Sequence, residues 1–314
     1  MTRFVLQRVT AFATILFVAS WLIFLLPYLT GVDPVMSIIR ARVGERVIQP
    51  EAVEALRQEL GLNKSAVAQY QDWLGRLLRG DLGLSFISRS PIAELLWQGF
   101  KVTTVLASSA VLLALLVAVP LGVWAAQNRG RTDSLISFGS QTGVALPEYW
   151  VAPLLVLVFS LQLGWLPAAG WRGPLYLVMP VVTLSLRPTA YFTSLVRQAM
   201  LEVLASDYVR TAKAKGLSLN TVLFKHALRN ALLPVLTMSS LWFASLLGGS
   251  VIVEVIFAIP GMGRLIYDAV LANDLPLLQG SLMVLVAFTT LMMTLTDILY
   301  KVLNPAIQLD QRDV

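Results

Sequence analysis

Charged side chains set in or against long apolar runs are the residues of this sequence with the most chemistry to offer. Arg187 interrupts the run 173–196, Glu254 follows the run 230–253, Glu148 stands beside Pro147, and Asp297 closes the run 275–296. An ionised group at the centre of a bilayer costs about 2.5–3.5 kcal/mol on insertion scales, so it must face water, a counter-charge or a partner. For Arg187 two readings stay open: a wet translocation path, or a structural ion pair or snorkelling side chain. Glu254 reads as a structural or gating contact near the outer end of its helix. Gly248-Gly249 lets a neighbouring helix approach closely or lets its own helix bend. Glu148, Arg187, Gly248, Gly249 and Glu254 are therefore the candidate path or gate residues.

Other chemistries are excluded by what the sequence lacks. There is one histidine, His226, and no cysteine, so neither a histidine metal cluster nor a thiolate site or disulfide is available. No GxxxxGK[ST] stretch occurs, so the chain has no phosphate-cradling loop of its own. No Ser/Lys, Asp/Asp or His-metal grouping stands at a common depth, which argues against an intramembrane hydrolase. No internal repeat of several helices argues for an independent secondary transporter.

The elements that must position these residues are membrane helices. Of 314 residues, 57% are hydrophobic and 13% charged, with mean hydropathy +0.73. A soluble domain carries about 25% charged residues, so a cytosolic enzyme or a disordered regulator is excluded. The net charge of +6 fits Lys and Arg held in cytoplasmic loops better than nucleic-acid binding. Runs of about 20 apolar residues predict six spanning helices, at 9–30, 102–127, 135–163, 174–196, 232–257 and 281–303. The third is expected to be one helix kinked at Pro147. The first apolar run is too long for a signal peptide and is expected to stay as an anchor.

Orientation follows from the short loops. With the N-terminus inside, the cytoplasmic side holds Arg3, Arg8, Arg129, Arg131, Arg197, Arg210, Lys213, Lys215, Lys225, Arg229, Lys301 and Arg312. The two short outer loops hold only Arg172 and Arg264, so both termini are expected in the cytoplasm. The chain then divides into an N-terminal segment with the first span (1–30), an extracytoplasmic helical segment (31–101), a five-helix core (102–303) and a cytoplasmic tail (304–314).

Two hydrophilic segments carry pattern. In 31–101, Glu51–Leu60 reads as a helix opened by Pro50 and closed by Gly61. Tyr70, Trp73, Leu74, Leu77 and Leu78 form an apolar helical face, and Gly80-Asp81-Leu82-Gly83 a turn. This segment is either a cap on the membrane helices or a docking surface for an outer partner. In the cytoplasmic segment 197–231, residues 202–215 read as a helix with Gly216 at its C-cap. Ser218 or Asn220 then caps a second short helix at 221–229. That helix–Gly–helix is either an amphipathic pair resting on headgroups or a rigid knob for a cytoplasmic partner.

The run Glu202-x4-Asp207-Tyr208-Val209-Arg210-Thr211-Ala212-Lys213-Ala214-Lys215-Gly216-Leu217 resembles the cytoplasmic loop of ABC importer permeases of the dipeptide, oligopeptide and nickel class. So does His226-Ala227-Leu228-Arg229-Asn230-Ala231-Leu232-Leu233-Pro234. Further matches are Leu60-Gly61-Leu62, Gln69-Tyr70, Gly80-Asp81-Leu82-Gly83, Gly164-Trp165-Leu166-Pro167, Leu247-Gly248-Gly249-Ser250, Val253-Glu254 and Pro260-Gly261-Met262-Gly263-Arg264. Where many such permeases show Glu-Ala-Ala, this chain has Arg210-Thr211-Ala212. Where the family's last turn is Asp-Pro-Arg, it has Asn304-Pro305-Ala306.

The resemblance implies an all-α, six-span, type I importer permease of a bacterial inner membrane. It implies that Glu202, Asp207, Tyr208, Ala212, Gly216, His226, Arg229 and Asn230 form an ATPase-coupling loop. Its implied partners are a second homologous permease, two ABC ATPase subunits that hold the ATP and Mg, and an extracytoplasmic binding protein. The chain itself is expected to be no enzyme and to hold no cofactor. Short peptides are the implied cargo, with nickel, other metal chelates or glutathione-like molecules as the alternatives within the same architecture.

Overall fold

In the computed structural model, residues 2–31, 35–36, 39, 50–59, 63–216, 218, 221 and 227–303 are described. Among them every regular element is helical, apart from an isolated antiparallel bridge between Leu84 and Pro91. The helices are α1 (Thr2–Thr30), α2 (Pro50–Glu59), α3 (Ala66–Leu78), α4 (Ile92–Gln127), α5 (Arg131–Ala145) and α6 (Glu148–Leu155). A π-helical stretch, Val156–Gln162, continues α6. Then come α7 (Leu175–Ala205), α8 (Asp207–Ala214), α9 (Leu228–Gly249), α10 (Val251–Ile256), α11 (Met262–Leu271) and α12 (Leu275–Leu303).

Among the described residues, four helices are long and apolar enough to cross a bilayer: Arg3–Leu29, Ile92–Gln127, Leu175–Ala205 and Leu275–Ile298. A fifth span arises if α5 and α6 with its π-helical continuation are taken together, bent by 98° at their break. The expected kink at Pro147 is thus a full break. Leu146 and Pro147 are both extended, with ψ of 121° and 136°. The residue before a proline is pushed out of the helical region, so Pro147 ends α5 at Ala145 and opens α6 as its N-cap. The expected span 232–257 is also divided, because Ser250 separates α9 from α10. Its apolar part, Pro234–Gly249, covers about 24 Å at 1.5 Å per residue, short of the roughly 30 Å core.

Several helices outrun the apolar runs that predict them. The 36 residues of α4 reach about 54 Å, so its first turns stand outside the hydrocarbon. The expected boundary at 101/102 therefore falls inside a continuous helix. α7 likewise runs on from 196 to Ala205, and α12 starts at Leu275 rather than 281. An apolar-run criterion reads the bilayer's thickness, whereas a helix ends where its backbone finds caps.

The chain forms two compact units, Met1–Thr103 with Pro260–Thr294, and Thr104–Ile259 with Leu295–Val314. In the first, α3 lies on α1 through aromatic rings. Tyr70 stacks on Trp21 at 4.6 Å, meets Phe24 edge-on at 5.3 Å, and shares a 2.8 Å hydrogen bond between its hydroxyl and that of Ser20. Trp73 follows on Phe24 at 6.0 Å. The apolar face expected on this helix is used at Tyr70 and Trp73, but its far end, Leu78, is 79% exposed.

A second knot in this unit holds the loop before α4. The buried carboxylate of Asp274 accepts the Ser85 hydroxyl at 2.5 Å, the Phe86 N–H at 3.1 Å and the Leu277 N–H at 3.3 Å. It thereby caps α12 and pins a loop 189 positions earlier in sequence.

The core of the second unit is built from small residues. Ala114, Ala118 and Ala126 of α4 pack with Phe192, Val196 and Met200 of α7 and Ala231 and Val235 of α9. The crossing is close enough to require glycine at position 122. A Cβ there would lie 2.6 Å from Val196 Cβ and 2.8 Å from the Thr193 carbonyl oxygen. Small residues at such crossings let dispersion contacts accumulate where the hydrophobic effect gives no drive between helices.

Candidate functional site

The hydrophilic segment after α7 is organised around a break at Ser206. The expected single helix over 202–215 is two: Glu202 belongs to the end of α7, and α8 starts at Asp207. Ser206 is extended, with ψ of 153°, and turns its hydroxyl back to the Val203 carbonyl at 2.6 Å. Serine's competition for nearby backbone groups is what makes it a helix breaker here.

One face of α8 is glued to the end of α7. Val209 and Ala212 are buried against Val203 and Leu204. The other face carries Asp207, Tyr208, Arg210 and Thr211, all exposed. Asp207 sits in the first turn, where the helix dipole favours a carboxylate, and pairs directly with the exposed Arg210 at 3.5 Å. Gly216 follows with φ of +79°, the left-handed conformation expected of a C-cap glycine. Ser218 caps the next turn, its Oγ accepting the Thr221 N–H at 3.4 Å. Asn220 and His226 lie outside the described residues, as does most of the expected second helix. Arg229 and Asn230 occupy the first turn of α9.

The candidate path residues separate into two groups. Glu254 is fully buried in the first turn of α10. It accepts the Ser250 hydroxyl at Oε1 at 2.8 Å, and its backbone carbonyl accepts the Ile259 N–H at 2.8 Å. Gly248 and Gly249 close α9 one residue before that break. A further bond, from the Gly170 N–H to the Phe257 carbonyl at 2.8 Å, fixes the chain next to Ala258, which is strained at φ of +51°. Glu254 is therefore the centre of an internal turn.

Glu148 and Arg187 are different. Glu148 is half-buried in the first turn of α6, just past the 98° break. It lies within electrostatic range of Arg187, whose side chain is exposed near the middle of α7.

One pair eluded sequence reading. Arg197 of α7 clasps Asp133 of α5 with both arms: Nε donates to Oδ1, and Nη2 donates to Oδ2 at 2.6 Å. Ser137 supports Oδ1 from the next turn at 3.4 Å. Both side chains are mostly covered, at 28% and 18% exposure. The only sequence signals are an acid in the first turn of α5 and a lone arginine 64 positions later. Counted as loop charges, neither suggests the other. The clasp anchors α7 nearly three turns before α8.

Together these parts are an exposed polar helix beside a membrane-length helix and charged side chains set along apolar helices. A polar knob lies at one end of a long rod, and charges lie along the same rod within an apolar span. Comparison with known proteins shows the family. Residues 118–309 match the family described as binding-protein-dependent transport system inner membrane component, and residues 1–107 match that family's N-terminal region. A chain of Brucella suis named for a peptide transport system permease is 39% identical over 322 residues, covering 99% of this chain and 100% of that one. The glutathione transport system permease protein of Escherichia coli K12 is 35% identical over 309 residues, covering 98% and 99%. A solved amino acid ABC transporter aligns at TM-score 0.49 and 17% identity, over 68% of this chain and 94% of that one. Matched along nearly all its length, this multi-pass, all-α chain belongs to the inner-membrane permease components of binding-protein-dependent transport systems.

Proposed function

We propose that this permease imports short peptides, driven by ATP hydrolysed in separate subunits. The observation that carries this reading is full-length similarity to a permease named for peptides and to one named for the tripeptide glutathione. Nickel and other metal chelates use related architectures and remain the second reading from the sequence motifs.

In this reading the chain pairs with a second homologous permease and two ATPase subunits, and an extracytoplasmic binding protein delivers the cargo. Both termini and α8 face the cytoplasm, and 31–101 faces outside, as the twelve-to-two distribution of Lys and Arg supports. Residues 197–231 form the coupling loop, with Glu202, Asp207, Tyr208, Ala212, Gly216, His226, Arg229 and Asn230 as its working residues. Supporting this, α8 is buried on one side and presents an exposed polar face on the other. Nucleotide and Mg bind in the ATPases, in keeping with a sequence that has no phosphate loop.

The test is reconstitution. The chain is co-expressed with the products of its neighbouring reading frames, purified and placed in liposomes with the binding protein. Uptake of trialanine, glutathione and a nickel–histidine chelate is then measured with and without ATP. ATP-dependent uptake of the peptides is the expected result. Uptake of the chelate alone would overturn the cargo, and failure to co-purify any ATPase would overturn the assembly.

A further inference from the structure

Three facing pairs between α5–α6 and α7 run in antiparallel order. Asp133 meets Arg197; Gly143 lies so close to α7 that its Cβ would stand 3.1 Å from Ala190 Cβ; and Glu148 is in electrostatic range of Arg187. Moving away from α8 along α7, the partner chain moves from 133 to 148. The lower two contacts are sealed, one by a two-armed ion pair and the other by packing. The third lies just past the 98° break between α5 and α6, where Glu148 is half-buried and Arg187 is exposed.

Arg187 stands about 15 Å along α7 from Arg197 at 1.5 Å per residue, deep in the apolar stretch. A guanidinium at that depth is not stable against lipid tails, so its exposed side faces water or another protein surface. Glu148 supplies a counter-charge, and a guanidinium fork with five donors can take a further carboxylate. Tyr191 lies one turn further along the same face and is partly exposed, offering an aromatic wall beside the charge. Pro188, next to Arg187, removes one rung of the α7 ladder and loosens the rod at that point.

We propose that Arg187, backed by Glu148, lines the water-filled path and binds the free carboxylate of the peptide as it crosses the membrane. The site is selective for peptides with an unblocked C-terminus and passes their amides poorly. It rests on the peptide-import reading above and adds to it a place and a chemistry of recognition within the membrane.

The chain has no cysteine, so Arg187→Cys gives it a single thiol, and labelling is read on this chain after the subunits are separated. The experiment uses the full assembled transporter in liposomes, with membrane levels and subunit recovery matched. Parent uptake is first recorded for trialanine, glutathione and trialanine amide. If the parent imports neither free peptide, the peptide-import reading fails, and this inference fails with it. If it does, Arg187→Cys should lower free-peptide uptake about tenfold or more, the loss expected for a charge-assisted hydrogen bond. Amide uptake should be nearly unchanged. A cationic methanethiosulfonate reagent should then restore much of the uptake, and an anionic one should not. Saturating free peptide should slow the modification, whereas the amide should not. Arg187→Lys should keep the preference for the free carboxylate with weaker uptake. A thiol at 187 that fails to react, equal losses for acid and amide, or loss of a subunit from the purified assembly would each overturn the proposal. The last result would make Arg187 an inter-subunit contact.

Discussion

Glu148 and Glu254 are the same residue type in the same local setting, and the structure treats them in opposite ways. Each stands in the first turn of a short helix that follows a break in an apolar segment. Each profits from the positive end of that helix. At Glu254 the break is closed on itself: Ser250 donates to the carboxylate, the backbone turns back onto residue 254, and no side-chain surface is left exposed. At Glu148 the chain bends by 98°, the carboxylate is half-buried and Arg187 is exposed. A closed carboxylate holds a turn together, while an open one is available to something that comes and goes. Position in the sequence does not separate the two cases; the number of internal donors does.

That contrast fixes what substitutions should do, beginning with the largest effect. Glu254→Ala removes a packed side chain and strands the Ser250 hydroxyl. The expected loss is about 2–5 kcal/mol, combining a cavity with an unsatisfied buried group. It should be read as a drop in the thermal midpoint of the detergent-solubilised chain. Glu148→Ala should leave that midpoint almost unmoved while lowering uptake. If the two variants destabilise equally, the distinction between closed and open carboxylates is lost.

Next in size is the sealed rung at Asp133–Arg197. A hydrogen bond to a charged group is worth about 1.5–3 kcal/mol, and partial exposure should place this one toward the lower end. A double-mutant cycle on Asp133→Ala and Arg197→Ala should return a coupling energy of more than about 0.5 kcal/mol. An additive pair would mean that the clasp contributes nothing to the rod it holds.

Gly216 comes third, and it tests the knob at the rod's end. Its φ of +79° is left-handed, and among the described residues nothing lies within 4 Å of where a Cβ would stand. Gly216→Ala therefore carries backbone strain of about 1–2 kcal/mol, felt locally rather than in the membrane. Gly216→Asn should be milder, since asparagine tolerates that conformation, and Gly216→Pro should be worse. The expected order in substrate-stimulated ATP hydrolysis by the assembled transporter is parent, Asn, Ala, Pro. Equal rates would show the knob to be a passive surface helix.

These sites also mark what a sequence lets one read. Gly216 was legible because a C-cap glycine announces itself by local pattern, and so was Pro50 at the start of α2, whereas the start of α8 at Asp207 was hidden inside the expected helix 202–215. The break at Leu146–Pro147 was half legible: proline forecasts a disturbance but not a 98° turn, which depends on what packs on either side. The split at Ser250 was hidden because serine is common within apolar helices. Asp133–Arg197 and Asp274–Ser85 were invisible, since contacts 64 and 189 positions apart leave no periodicity in either segment. The family resemblance carried membership and class, and neither contact is part of any motif that carried it.

The smallest effect belongs to a charge pair lying wholly in water, which completes the series from closed through open to solvated. Lys64, just before the N-cap of α3, donates a 2.5 Å hydrogen bond to Asp72 in the middle of that helix, with both side chains more than half exposed. That bond, ahead of the charge attraction itself, holds the Asp72 carboxyl below its ordinary value of 3.8. A depressed carboxylate stabilises the fold above its unfolded value, so the contribution is present at neutral pH. It is lost as pH falls below 3.8 toward the lowered folded value. An exposed pair is screened by salt and by the entropy of holding two long side chains. Asp72→Asn is therefore expected to leave the thermal midpoint at pH 7 unchanged within error. The variant and parent should differ no more at pH 5 than at pH 8, because neither pH crosses that window. Uptake should also be untouched, provided that this face meets only water. A clear loss of uptake at an unchanged midpoint would break the series at its quiet end, and it would mark the α3 face as the place where an outer partner docks.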